Sequence, residues 1–180
     1  RCQAIFDSAM VGMANSSADL RWTAVNAALC QILDQPAADL AGMFWLDCLH
    51  PEDRPVTQRL VDAIRQGERD SCTLEARCLR RDASVVFVNL ALQAIRGDDG
   101  ELDSLSMVIE DITQRQVAET QFANQVNRSL VLIELPRQAE LLDEQEFMRY
   151  ALERAEALTG SRIGFMHFVN DDGEAIELAV

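Results

Sequence analysis

Past Gly67 the hydrophobic period of this chain changes to two and keeps that value through three runs joined by short turns. Cys72, Leu74, Ala76 and Cys78 alternate with Thr73, Glu75, Arg77 and Leu79. The run Val85 to Ile95 is rich in β-branched and apolar residues, and Leu105, Met107 and Ile109 alternate in a third. The turns between them fall at Asp82-Ala83 and Gly97-Asp98-Asp99-Gly100. Links this short cannot carry a crossover, so the three strands form an antiparallel meander. Whatever else the chain builds must pack on that sheet.

Upstream, Met10 to Asn26 holds two short extended segments around the polar turn Asn15-Ser16-Ser17-Ala18-Asp19, which reads as a hairpin. Hairpin and meander together predict an α+β fold, a five-stranded antiparallel sheet with helices on one face. Asn26 is placed to cap a helix beginning at Ala27, in which Leu29, Ile32 and Leu33 share a face, and Pro36 stops it. Two short helical turns fit between Ala37 and Leu49. Asp53 followed by Pro55 predicts a helix start with the Asp side chain taking orphan amide protons. Val56, Leu60 and Ile64 mark that helix, which ends at Gly67.

Downstream, Gln114 to Leu135 lacks Gly and Pro. Ala118, Phe122, Val126, Leu130 and Ile133 recur every three or four residues, which predicts one amphipathic helix, interrupted at Pro136. A second helix should start at Asp143, whose D-x-x-E pattern with Glu146 is a capping box, and stop at Gly160 with Phe147, Ala151, Ala155 and Leu158 as its stripe. Arg162 to Val169 and Ala175 to Val180 then read as strands around the turn Asn170-Asp171-Asp172-Gly173.

Charge and cysteine usage narrow the function. Sixteen Lys and Arg against thirty Asp and Glu give a net charge of -14, which argues against nucleic acid and against an acidic membrane surface as partners. No apolar run approaches the ~18 residues of a membrane span. No basic segment followed by an apolar stretch opens the chain, so no signal peptide is expected, and a start at Arg1 reads as a piece of something longer. Cys2, Cys30, Cys48, Cys72 and Cys78 are odd in number with no C-x-x-C pair, which points to a reducing, cytoplasmic address.

A series of marks in fixed order carries a family resemblance: Gly12-Met13-Ala14, Asn26, His50-Pro51-Glu52-Asp53, Glu75-x-Arg77, Arg80-Arg81-Asp82, Gly97-Asp98-Asp99-Gly100 and Asp111-Ile112-Thr113. Spread over residues 1–113, they resemble a PAS sensory domain with its PAC segment. Leu158 to Val169 with the Asp-Gly turn looks like the opening of a GAF domain, so residues 136–180 are expected to be its truncated start, after a signalling helix at 114–135. The resemblance implies a sensory module of a histidine kinase or diguanylate cyclase type protein, with the output domain outside this chain. It implies a homodimer whose seam is Ala118, Phe122, Val126, Leu130 and Ile133. The implied pocket is lined by Leu29, Leu33, Trp45, Val88, Leu90 and Met107 and takes an unidentified small ligand, with FAD beside Trp45 or an empty constitutive dimerisation module as alternatives. Two family turns usually carry Asp-Gly where this chain has Asp19-Leu20 and Asp82-Ala83, which predicts altered turn geometry.

Candidate chemistry is sparse. His50 and His167 lie far apart with no ligand cluster beside either, so no metal site is expected and His50 reads as a loop-fixing residue. The helix Val56 to Gln66 has no histidine for haem, and Cys48 lacks the Asn-Cys-Arg setting of light-sensing flavin relatives. Trp45 reads first as core. Glu75 and Arg77 share a strand face and can pair with each other or across strands, while Asn89 and Gln93 point away from the pocket. With no nucleophile–base pair, metal set or phosphate loop, catalysis is not expected from this chain.

Overall fold

The computed structural model describes residues 6–161 and the backbones of Met166–Val169 and Ile176–Ala179. The chain divides into two compact units, Arg1–Gln116 and Val117–Val180.

The first unit holds strands β1 (Gly12–Ser17), β2 (Trp22–Val25), β3 (Ser71–Leu79), β4 (Val85–Arg96) and β5 (Leu102–Asp111). They form one antiparallel sheet in the order β2-β1-β5-β4-β3. The meander accounts for β3-β4-β5, and the amino-terminal hairpin joins its free edge through β1 on β5. Gly12 sits where β5 comes close, since a Cβ there would lie 2.9 Å from the Ile109 carbonyl oxygen and 3.2 Å from Leu29 and Ile32 side-chain carbons.

Between β2 and β3 run α1 (Ala27–Leu33), α2 (Ala37–Leu40), a 3-10 turn (Trp45–Cys48) and α3 (Arg54–Arg65). They cover one sheet face, with α1 on β1, α2 on β2 and α3 on β3. Ala76, Cys78, Val86, Val88, Leu90, Leu92, Leu105, Met107 and Ile109 turn inward to meet Leu29, Leu33, Trp45 and Ile64. Asn26 pins this layer. Its Oδ1 accepts from the amides of Leu29 and Met13, both at 2.9 Å, and its Nδ2 donates to the Phe6 and Val11 carbonyls, both at 3.0 Å. Every bond an amide side chain can ordinarily make is thereby used, which is why a residue 1% exposed can be polar.

Three local expectations are corrected. Asp53 does not cap α3 with its side chain; the carboxylate is committed to Arg77 instead. The buried face of α3 is Thr57, Val61 and Ile64, leaving Val56 exposed. Thr57 can take an inward position because its hydroxyl donates to the Asp53 carbonyl at 2.9 Å. The turns without glycine keep the left-handed conformation rather than abandoning it, with Leu20 at φ 62° and Ala83 at φ 64°. Ladder pairing on both sides of each turn holds the strained residue in place.

Helix α4 (Thr113–Leu141) leaves β5 directly, and α5 is Glu144–Thr159. The interruption expected at Pro136 is absent, and the helix runs through it to Leu141. Proline at 136 removes the one donor that would reach the Leu132 carbonyl, and the helix continues past that lost bond. Asp143 and Glu146 form the capping box of α5, and Gly160 ends it at φ 66°. In the second unit Val131 is buried, and the Tyr150 hydroxyl donates to the Glu134 carboxylate at 2.9 Å. Met166–Val169 (β6) and Ile176–Ala179 (β7) pair antiparallel, while the turn expected at residues 170–173 lies outside the described residues.

Candidate functional site: a buried cavity and a latch on the helix base

Beneath the sheet lies a cavity of about 20 Å3, enough for one water-sized molecule and far too small as packed for a flavin ring. Leu29, Leu33, Trp45, Val88 and Leu90 line it; Met107 is buried in the core but is not part of this lining. Trp22, Cys48, Leu49, Cys78 and Ile109 complete the wall. They come from β2, the 3-10 turn, β3 and β5, and only the strand phase of Cys78 and Ile109 hinted at an inward position.

Trp22 and Trp45 meet with ring centroids 6.2 Å apart, tilted by 45°. Both are nearly fully buried, and no acceptor among the described residues makes an ordinary hydrogen bond to either indole N–H. An unpaired buried donor costs about 1–3 kcal/mol, so two in one core are unusual, and neither opens on the cavity, whose exposed wall is apolar. Trp22 lies beside Cys48, whose thiol is pushed up by burial despite that indole N–H. Cys78 is pushed up to about 12, chiefly by burial. Both thiols are therefore neutral at pH 7, and the wall carries no ionised group.

The second feature lies on the outer side of β3. Asp53 accepts from the Arg77 amide at 2.7 Å and from its guanidinium at 3.0 and 2.7 Å, and Glu52 accepts from the same guanidinium at 2.9 Å. Those guanidinium bonds, ahead of the others, hold the Asp53 carboxyl below its usual range and raise Arg77. The His50 amide donates to the Arg77 carbonyl at 2.8 Å, and its Nδ1 accepts from the Glu52 amide at 3.4 Å, so His50 fixes the loop. Glu75 pairs neither with Arg77 nor across the sheet. It binds Arg115 and Gln116 at the base of α4, the latter at 2.9 Å.

The Asp111-Ile112-Thr113 mark belongs to the same corner. Asp111 accepts from the Thr113 amide at 2.8 Å, Thr113 Oγ1 accepts from the Phe87 amide at 3.0 Å, and Ile112 is buried. Arg80 reaches the Ile32 carbonyl at 3.0 Å and Asp111 at 3.6 Å. The first turn of α4 is thus held to β3 by the Glu75 carboxylate and to β4 by the Phe87 backbone amide donating to Thr113.

On α4 itself, at ~100° per residue, Ala118, Phe122, Val126, Leu130 and Ile133 fall within an arc of about 120°, with Val131 about 160° from its centre. Phe122 is 70% exposed, Leu130 55% and Ile133 72%, while Val131 is buried; Leu132 and Val117 are exposed off that arc, so α4 is not the amphipathic helix expected and its apolar residues are spread around it. Among the described residues no group of three or more His, Cys, Asp or Glu could hold a metal ion, and no helix is long and apolar enough to cross a membrane. Asn89 and Gln93 lie off the buried phase of β4, as expected.

The sheet order, the helical layer on one face and the helix leaving the last strand define an α+β fold built on one five-stranded antiparallel sheet. The family model described as PAS fold matches residues 23–109. The chain is 31% identical over 121 residues to the probable diguanylate cyclase DgcE of Escherichia coli (strain K12), covering 67% of this chain. It spans about a tenth of that relative's length, the match covering 10% of it. A PAS domain from Colwellia psychrerythraea superposes with a TM-score of 0.57 at 16% identity, over 63% of this chain and 95% of its own. The N-terminal domain of a diguanylate cyclase with PAS/PAC sensor from Marinobacter aquaeolei gives 0.53 at 20%, over 59% and 98%. Residues 23–109 thus match the PAS fold and share that fold with these structures.

Proposed function

We propose that this chain senses a small molecule, or a redox state, in the core of residues 1–113 and passes the result along α4 in a homodimer. The observation that carries this reading is the exposed stripe on α4, a helix whose base is tied to β3 by Glu75 and to β4 by Thr113. A change of packing around Leu29, Leu33, Leu90 and Met107 moves β3, β4 and β5 together, and the latch transmits that movement to the helix pair. The second copy covers Phe122, Leu130 and Ile133, which no described residue of this chain buries.

The output is of diguanylate cyclase or histidine kinase type and lies outside this chain, in the cytoplasm; the carboxy-terminal segment is the start of a GAF domain. The E. coli cyclase relative and the β6-β7 hairpin support these parts of the reading. A constitutive dimerisation module is the second reading, and the small volume of the cavity favours it. Substituting this chain for the matching segment of the E. coli relative and measuring cyclic diguanylate separates them. Sensing through α4 predicts that Glu75→Gln alters output while dimerisation is kept and that Phe122→Asp abolishes output; a chimera indifferent to both changes refutes the proposal.

A further inference from the structure

Cys48 closes the 3-10 turn and Cys78 lies on β3, and both are buried in the wall of one apolar cavity. The backbone brings them together. Leu49 and Cys78 form an antiparallel bridge, and beside it the His50 amide donates to the Arg77 carbonyl at 2.8 Å, so the segment carrying Cys48 runs along the edge of β3. A residue pair flanked by such a bond is separated by ~4.5 Å, and one step of ~3.3 Å along the strand then puts the α-carbons of Cys48 and Cys78 about 6 Å apart. That lies inside the ~4.4–6.8 Å window of a disulfide. The two groups also meet electrostatically, since charge on Cys48 is among the causes that raise Cys78.

We propose that Cys48 and Cys78 are a redox pair that closes to a disulfide under a small neutral oxidant of the peroxide class and reopens with a thiol reductant. The pair deepens the redox part of the sensory reading, on which it rests, by naming the groups that change state. Cys48 is the attacking sulfur, because the Trp22 indole N–H lies against it and favours its thiolate, whereas Cys78 is pushed up to about 12, chiefly by burial. The Cys48 thiolate attacks one peroxide oxygen, the O–O bond breaks, and the departing hydroxide takes the thiol proton as water, leaving a sulfenic acid. Cys78 then attacks that sulfur, the S–O bond breaks, and the hydroxyl leaves as a second water with the Cys78 proton. Two thiols are oxidised, one peroxide is reduced and one S–S bond is formed.

An apolar wall admits no large or charged oxidant, while hydrogen peroxide is neutral and small. Thiols this buried react slowly, so the pair answers sustained oxidant rather than a brief exposure. Closure to an S–S bond of ~2.05 Å draws the 3-10 turn onto β3 across the cavity. Arg77 beside Cys78 holds Asp53 and Glu52, and Glu75 on the same strand holds the base of α4. The contraction therefore acts on the strand that carries the latch.

The test is to treat the whole chain with hydrogen peroxide, alkylate the remaining thiols in denaturant and read the digest by mass spectrometry. The expected result is one dominant linked peptide joining Cys48 to Cys78, a loss of two free thiols per chain and full recovery with dithiothreitol. With Cys78→Ala, Cys48 should stop at the sulfenic acid and be trapped by dimedone; with Cys48→Ala, Cys78 should stay a thiol. If both are still thiols after the treatment, whatever the half-buried Cys30 and Cys72 have become, the inference is overturned, as it is by a link from either to another cysteine. In the chimera with the E. coli relative, a Cys48–Cys78 link that leaves cyclic diguanylate output unchanged keeps the pair and removes redox sensing. No link, with output that still responds to Glu75→Gln, removes the pair and keeps the α4 reading.

Discussion

Leu20 and Ala83 share one backbone defect, a left-handed conformation at φ 62° and φ 64°, yet replacing each by glycine should have opposite effects. A residue with a Cβ pays ~1–2 kcal/mol for that conformation, and glycine returns part of this through its freer unfolded chain, ~0.4–1 kcal/mol. At exposed Ala83 nothing else changes, so Ala83→Gly should stabilise by about 0.5–1 kcal/mol, or ~2–4 °C in Tm for a unit of this size. Leu20 is 1% exposed in the core, and deleting a buried leucine side chain costs about 2–5 kcal/mol. Leu20→Gly should therefore destabilise by at least about 1–2 kcal/mol despite the same backbone relief. Urea unfolding followed by tryptophan fluorescence is the assay, because Trp22 and Trp45 both lie in the first unit and report it alone. A lowered midpoint for Ala83→Gly, or a raised one for Leu20→Gly, would refute the reasoning.

Asn26→Ala should cost ~2–4 kcal/mol, since it removes a helix cap and leaves the Met13 amide and two carbonyls without their partner. Asn26→Asp should fare little better at pH 7, because a carboxylate would face the Phe6 and Val11 carbonyls; recovery of wild-type stability by Asp would exclude this account. Asp53 has a depressed folded-state pKa, so its contribution is present above its unfolded value near 4 and is lost as pH falls through the folded value. Asp53→Asn is thus expected to destabilise by about 1 kcal/mol at pH 7, the partial exposure of the pair limiting the loss, with the difference shrinking below about pH 4. Thermal melts of the two proteins across that range check it, and a gap that widens in acid would show the assignment to be mistaken.

The sheet was legible because alternation, turn residues and loop length all agree between Cys72 and Ile109, where burial on one face leaves little freedom of register. The caps at Asn26 and Asp143 were equally plain, being local bonds between residues three apart. What escaped was long-range. Asp53 looks like a cap in sequence, and only the tertiary fold offers it the stronger donor set on Arg77, 24 residues away. Glu75 likewise finds Arg115 and Gln116 at separations of 40 and 41 residues, which no strand pattern encodes. Pro136 misled because a proline removes a single bond from a long helix without having to end it. Half of the cavity wall was missed for a similar reason. Trp22 and Cys48 are brought together from separate elements, and an indole N–H left without an acceptor is a property of the packed core rather than of any segment.

Native mass spectrometry of the chain as purified, set beside its denatured mass, tests the central claim most directly. A sensor that signals through α4 should appear as a dimer, and Phe122→Asp, which places a charge on a side chain 70% exposed in the single chain, should return it to a folded monomer. A wild-type monomer, or a dimer untouched by that substitution, would contradict the assignment of the α4 stripe as the seam.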